Sequence, residues 1–185
     1  MLAAAPLLFA AAAIAAGSTT PPQAARDGLA LRNAGFEAAA PAATNIEGWQ
    51  LTVHSTPTAY GMALDTKFAH GGKASARLWR SGKEPWGMVH QTLPPGIYAG
   101  GTLEFSAWLR TDAASGAILV LRTLANGTVD RYVFMDPPIA GTHAWQRYSV
   151  RLAIAPGPHV VDVGAMLQGD GTLWLDDATL VMLRR

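Results

Sequence analysis

The chain has no cysteine. This excludes a disulfide framework, a thiol nucleophile and any cysteine-ligated zinc site, though not export, because exported bacterial domains can rely on a core alone. Charge is sparse as well: 14 basic and 13 acidic residues are scattered through 185, for a net charge of +1. No field of one sign is available to draw in nucleic acid or an anionic membrane surface. Several signatures of chemistry are also absent. There is no glycine-rich phosphate loop or dinucleotide fingerprint, no Gly-x-Ser-x-Gly elbow, no His-Glu-x-x-His pair and no EF-hand loop. The five histidines, His54, His70, His90, His143 and His159, are far apart, and none has a partner at metal-ligand spacing. Asp176 and Asp177 are adjacent on a strand-like segment, so their side chains point to opposite faces and do not form a glycosidase acid and base. The expectation is a protein that is not an enzyme.

Half of the residues are apolar, which in a chain of this length suits one domain with an ordinary core. Leu2 to Ala16 is an Ala/Leu-rich run with one proline. It is shorter than the roughly 18–20 apolar residues that a spanning helix needs. It ends in small residues, with Ala13-Ile14-Ala15 and Ile14-Ala15-Ala16 as cleavage sites. Residues 1–17 therefore read as a secretory signal peptide, although no Lys or Arg precedes the apolar run. Cleavage is the expectation and retention as an anchor the alternative. Residues 18–28, with Pro21-Pro22, read as a linker, and 29–185 as the folded domain of a secreted or periplasmic protein.

Within that domain the apolar residues alternate. In Leu103–Arg110, Leu103, Phe105, Ala107 and Leu109 share one face, and Glu104, Ser106, Trp108 and Arg110 the other. Lys73–Arg80, Trp145–Leu152 and His159–Leu167 repeat the pattern, and helical spacing is not sustained anywhere after the first segment. Short strands about ten residues apart, with Gly, Pro, Asn and Asp between them, predict an all-β sandwich or barrel. Asn126-Gly127 predicts a tight hairpin between Ile118–Leu124 and Thr128–Phe134. Gly169-Asp170-Gly171 predicts a second hairpin between Val160–Leu167 and the last strand. Pro94-Pro95-Gly96 and Pro137-Pro138 mark loops.

The order of motifs carries a family likeness. Asn33-Ala34-Gly35-Phe36-Glu37, Gly48-Trp49, Gly72-Lys73-Ala74-Ser75, Phe105–Arg110, Trp145–Tyr148 and Leu173-Trp174-Leu175-Asp176-Asp177 follow one another over nearly the whole mature chain. This order resembles carbohydrate-binding modules of the family 4/9 type, and stand-alone bacterial jelly-roll domains of unassigned function. The resemblance implies a two-sheet antiparallel jelly-roll β-sandwich, galactose-binding-like, that binds a polysaccharide or glycan. It also implies one structural calcium ion at Glu37, the backbone of Gly72-Lys73, and Asp176 or Asp177. The alternative for these carboxylates is a set of backbone N–H bonds with no metal.

Sugars need flat aromatic surfaces and planar polar side chains. Arg77 and Trp79 lie on one strand, Glu104, Trp108 and Arg110 on a second, and Asp130 and Tyr132 on a third. If these strands adjoin, their polar faces make an aromatic-lined groove, with Trp86 at its edge. Arg77, Trp79, Trp86, Trp108, Arg110 and Tyr132 are thus the candidate ligand-binding residues. For Trp108 packing is the stronger alternative, and for Arg110 an ion pair with Glu104. Two other functions compete: an interaction domain that keeps the jelly-roll without the sugar and pairs with an envelope protein, and a small hydrolase with a spatially assembled site.

Overall fold

The structure is a computed structural model and describes residues 26–39, 46–95, 100–125 and 127–183. The signal segment and most of the linker lie outside the described residues, as does Asn126. Ten strands account for most of the chain: β1 (Arg26–Leu29), β2 (Gln50–Val53), β3 (Tyr60–Asp65), β4 (Ser75–Arg80), β5 (Trp86–Leu93), β6 (Gly101–Ala125), β7 (Thr128–Phe134), β8 (Ile139–Ile154), β9 (Val160–Gln168) and β10 (Thr172–Leu183). Among the described residues there is no α-helix, only a short 3-10 turn at Pro57–Ala59. All strand pairs are antiparallel, which makes the fold the all-β jelly-roll expected from the alternation. β1 pairs with the end of β10 from Arg26 onward, so the domain begins inside the stretch expected to be linker.

β6 serves both layers. Its first half pairs with β10 and β8, and its second half with β9 and β7. The bend between them falls at Asp112–Gly116, where Ala113 takes a φ of 47° and the register with β8 slips. One sheet therefore runs β3-β4-β10-β6-β8 and the other β2-β5-β9-β6-β7. We refer to these as the first and second sheets.

The hairpin expected at Asn126-Gly127 forms, with Ala125 opposite Thr128. The one expected at Gly169-Asp170-Gly171 does not. β9 pairs with β5 and β6, and β10 with β4, β6 and β1, so the turn carries the chain from one sheet to the other. The cause is the bend in β6. Gly171, with φ of 105°, packs where a Cβ would lie 2.5 Å from the Ala113 oxygen and the Ala114 Cα. Only glycine lets the crossing chain turn this close to the corner.

The core fills the space between the sheets. Leu103, Phe105, Ala107 and Leu109 are buried against Leu119, Leu121, Val163 and Leu167 of the other layer. One end is closed by Phe36 and Trp49, whose rings stand 4.7 Å apart. Trp49 donates its Nε1–H to the carbonyls of Arg32 and Asn33. Asn33 bonds the backbone of Ala38 and Glu47, and the Ala178 amide donates to the Ala34 carbonyl. The motif Asn33–Glu37 thus ties the start of the domain to its last strand.

Candidate functional site

Glu37, Lys73, Asp176 and Asp177 meet where the loop before β4 crosses the last strand; Asp176 and Asp177 do not point to opposite faces as expected, because Asp177 takes a φ of 46° at the register shift of β10 and both carboxylates turn to His70. Glu37 accepts N–H bonds from Lys73 at 2.9 and 3.1 Å and from Ala74 at 3.2 Å. Asp176 is fully buried and accepts from the amides of His70 (2.8 Å), Gly71 (3.1 Å) and Asp177 (2.7 Å). Burial pushes its carboxyl pKa up, and these amides offset only part of that rise. Amide hydrogens point at lone pairs that a calcium ion would need, and Lys73 presents its nitrogen. Among the described residues no three acidic or histidine side chains converge as a metal-holding group. The donors present make a seat for carboxylates, a set that does not fit calcium as arranged. Chelation is therefore expected to leave the melting temperature unchanged; a fall that added calcium reverses would assign an ion here.

The loop held by this seat lies over the outer face of the first sheet. His70 stacks on Trp108 at 3.8 Å and 15°, and its Nδ1 is 2.6 Å from Asp177 Oδ2. Phe68 meets Trp174 edge-on at 5.3 Å and lies 4.4 Å from the Arg110 guanidinium. Trp79 crosses Gly61, where a Cβ would come within 2.2 Å of its ring. Arg77, Trp79, Trp108 and Arg110 do share one face, but the loop covers Trp108 and part of Arg110. Glu104, expected as a partner of Arg110, pairs instead with Arg151 at 2.5 Å.

Trp86 and Tyr132 belong to the other sheet, so the six residues do not line one groove. Asp130 leaves Tyr132 as well: the register slips between Thr123 and Leu124, and Asp130 takes a bond from the Thr123 hydroxyl at 2.7 Å. A second, separate surface results, the outer face of the second sheet, and strand register orders it into rows. One row runs Thr52–Met88–Met166–Ile118. The next runs Gln50–His90–Gly164–Val120–Phe134, and the third Thr92–Asp162–Arg122–Tyr132. Met88, Met166, Ile118 and Val120 form a buried apolar floor with Trp86 and Met135 packed against it.

The polar row is built around Asp162, which is 4% exposed. Burial works against its ionisation, but the His90 ring, the Thr92 hydroxyl and the Arg122 guanidinium outweigh it and hold the pKa at about 2. Arg122 reaches Asp162 Oδ2 through two nitrogens, at 2.8 and 2.7 Å, and Thr92 donates to Oδ1. His90 Nδ1 stands 3.8 Å from Oδ1, beyond hydrogen-bond length, so Thr92 and Arg122 are the direct holders. His90 Nε2 meets the Thr52 hydroxyl at 2.9 Å. The order hydroxyl–imidazole–carboxylate is that of a nucleophile relay, but the carboxylate is committed to Arg122 and Thr92 and the ring is buried.

Above this floor the edge strand β7 exposes two aromatics. Tyr132 is 63% exposed and Phe134 46%, with ring centroids 5.0 Å apart. At the opposite edge Gln50 and Thr92 border a cavity of about 610 Å³ that Arg32, Trp49 and Gln91 also line. Sequence reasoning reached Trp86 and Tyr132. It missed Arg122, Asp162 and His90, because their juxtaposition depends on the pairing of β5 and β6 with the sequence-distant β9, and Phe134, although it stands two residues from Tyr132 on the same strand. The local signals were that spacing and a charged residue on the non-core side of an otherwise apolar strand, as at Asp162.

No family model matches the chain. A curated relative, the uncharacterized HTH-type transcriptional regulator YbfP of Bacillus subtilis (strain 168), is 26% identical over 147 residues, which is 71% of this chain and 46% of that protein. The chain thus spans less than half of this relative's length. Among solved structures, the tandem CBM22-1-CBM22-2 domain of Paenibacillus barcinonensis Xyn10C has a TM-score of 0.62 at 16% identity, covering 90% of this chain and 48% of that one. TmCBM61 in complex with β-1,4-galactotriose has a TM-score of 0.51 at 17% identity, covering 82% and 97%. The enzymatically active domain of tailspike protein 4 from bacteriophage CBA120 has a TM-score of 0.58 at 14% identity, covering 76% and 20%. These two modules belong to families 22 and 61, so the likeness to family 4/9 stands only at the level of the shared architecture. The fold is the antiparallel, galactose-binding-like jelly-roll of carbohydrate-binding modules.

Proposed function

We propose that the protein is a non-catalytic glycan-binding domain and that its ligand lies on the outer face of the second sheet. The observation that carries this is the exposed pair Tyr132 and Phe134 beside the Arg122–Asp162 pair. Exposed aromatics on a sheet edge mark a binding surface, since their area stays in contact with water unless a ligand covers it. The C–H face of a sugar ring stacks on them, and the remaining donors of the Arg122 guanidinium, directly opposite Tyr132 on the neighbouring strand, serve its hydroxyls. The jelly-roll solved with galactotriose supports a glycan as the ligand class.

Affinity electrophoresis against a polysaccharide panel that includes galactan and xylan tests the reading. At least one neutral polysaccharide is expected to retard the protein. Tyr132→Ala and Phe134→Ala are each expected to weaken retardation about tenfold while shifting stability by less than about 0.5 kcal/mol, as is usual for exposed side chains. Absence of retardation by every polysaccharide would overturn it. The second reading, an interaction domain without sugar, would then stand. The likeness to a regulator supports that reading, since the described residues hold no α-helix and so correspond to some part of that protein other than its helix-turn-helix.

For the hydrolase reading, aryl esters and aryl glycosides are the substrates to offer. No turnover is expected, and turnover lost in Thr52→Ala would reassign the Thr52–His90–Asp162 relay as catalytic. Export is a further proposal. It rests on the Leu2–Ala16 run, and N-terminal sequencing of the mature protein checks it.

A further inference from the structure

The outer face of the first sheet carries an alternating stack of rings and cations. Arg77 of β4, Trp174 of β10 and Arg110 of β6 stand directly opposite one another across three adjacent strands. The Arg77 guanidinium lies 5.0 Å from the Trp79 ring and 5.9 Å from Trp174. Arg110 lies 5.8 Å from Trp174 on its other side and 4.4 Å from Phe68. Lys67 Nζ continues the series, 5.2 Å from Phe68. The order is therefore Trp79, Arg77, Trp174, Arg110, Phe68, Lys67.

A guanidinium that stacks on rings uses its faces and leaves its in-plane N–H donors free. Among the described residues no carboxylate forms an ion pair with Arg77, Arg110 or Lys67, and neither arginine donates a side-chain hydrogen bond. The Nε atoms of both arginines are buried without a partner. The nearest acids accept their hydrogen bonds from other groups, although the Arg77 charge is close enough to Asp65 to help lower its pKa. Asp65 accepts from Trp174 Nε1 and from the amides of Lys67 and Phe68, and Asp112 accepts the Thr142 hydroxyl. Both arginines are half-buried, so their terminal nitrogens reach the surface beside the exposed Lys67.

We infer that Arg77, Arg110 and Lys67 form a second binding site, for the carboxylate or sulfate groups of an acidic polysaccharide. Each guanidinium presents a fork that matches one carboxylate, and the strand spacing sets the two forks about 10 Å apart at their Cα atoms. Acidic groups on every second residue of an extended chain suit such a row. Three cations and a net charge of +1 are too few for the phosphate density of nucleic acid. This site is independent of the face that bears Tyr132.

Isothermal titration calorimetry with sodium polygalacturonate and with dextran sulfate tests the inference and separates carboxylate from sulfate. The wild-type protein is expected to bind at least one of them at low salt, with affinity falling at least tenfold when sodium chloride is raised tenfold. Arg77→Gln and Arg110→Gln are each expected to lose about tenfold, and the exposed Lys67→Gln several-fold. Arg131→Gln, which removes an exposed cation of β7 in the second sheet, is expected to bind as the wild type does. No heat with either polymer would overturn the inference. So would binding that persists in all three charge variants or weakens equally in Arg131→Gln. Failure of the neutral polysaccharides on the other face leaves this result untouched, so the two readings fail separately. Because Lys67 lies at the surface, its variant stays informative if an arginine variant does not fold.

Discussion

Asp162→Ala should unfold about 3 kcal/mol more readily than the wild type, the low end of what breaking a buried ion pair costs. The low end applies because Arg122 keeps 29% of its side chain exposed and can turn to solvent once the carboxylate is gone. Thr92 also loses its acceptor. A lower urea midpoint at unchanged slope is the signature, and an unchanged midpoint would show that the pair is dispensable. Acid supplies a second readout. The carboxyl pKa falls from 3.8 to about 2 on folding, so the folded state favours the ionised form. Stability from Asp162 is complete above the unfolded value and is lost as pH falls through the folded one. The wild type should therefore lose about 2 kcal/mol between about pH 4 and pH 2 that the variant does not lose. Asp176 acts in the opposite sense, because burial raises its pKa; its protonation on acidification relieves a cost. The wild-type minus variant difference removes this contribution, which is common to both proteins.

Gly164→Ala is the second large effect. Gly164 stands opposite His90 in the β5–β9 ladder. A Cβ there would lie 2.2 Å from the Val89 carbonyl oxygen and 2.8 Å from the Cα and Cβ of His90. Backbone cannot swing aside as a flexible side chain does, so the two strands must part. The cost is expected at about 3 kcal/mol, the upper end for overpacking. Amide exchange should quicken along β5 and β9 first, and glycan retardation should weaken with it, since the floor of the face is distorted. Gly28→Ala is the control: no atom lies within 4 Å of its Cβ position, and the change should be worth less than about 0.5 kcal/mol. Equal midpoints for the two variants would remove the close approach from the account.

Local alternation was enough to read the strands. Leu103, Phe105, Ala107 and Leu109 are all exposed by 1% or less, as their spacing requires. The Asn126-Gly127 hairpin followed from backbone chemistry alone. The Gly169-Asp170-Gly171 turn has similar local chemistry, yet it joins strands in different sheets. A turn sequence specifies a reversal but not which neighbour the next strand meets. That choice was made by the bend of β6 at Asp112–Gly116, whose alternation carries no mark of a corner except two alanines, a serine and a glycine.

The candidate site was less legible for the same reason. Trp79, Trp108 and Tyr132 each stand on the polar side of an alternating strand. That side became two surfaces, because the sandwich has two outer faces and β6 contributes to both. Whether a face stays open depends on what crosses it: residues 66–74 fold back over Trp108, and no periodicity in that loop announces the stack of His70. The carboxylates Glu37 and Asp176 were found from sequence as a junction, but only the tertiary structure showed amide hydrogens aimed at their oxygens.

By itself, then, the sequence determined the fold class, most strands and the faces they bury, because period-two burial is a local property of the backbone. The tertiary structure alone decided which polar residues meet. The row Thr92–Asp162–Arg122–Tyr132 joins four strands, and the stack from Trp79 to Lys67 joins three strands and a loop. Such contacts come from strand order and register, which are fixed by the packing of the whole sandwich.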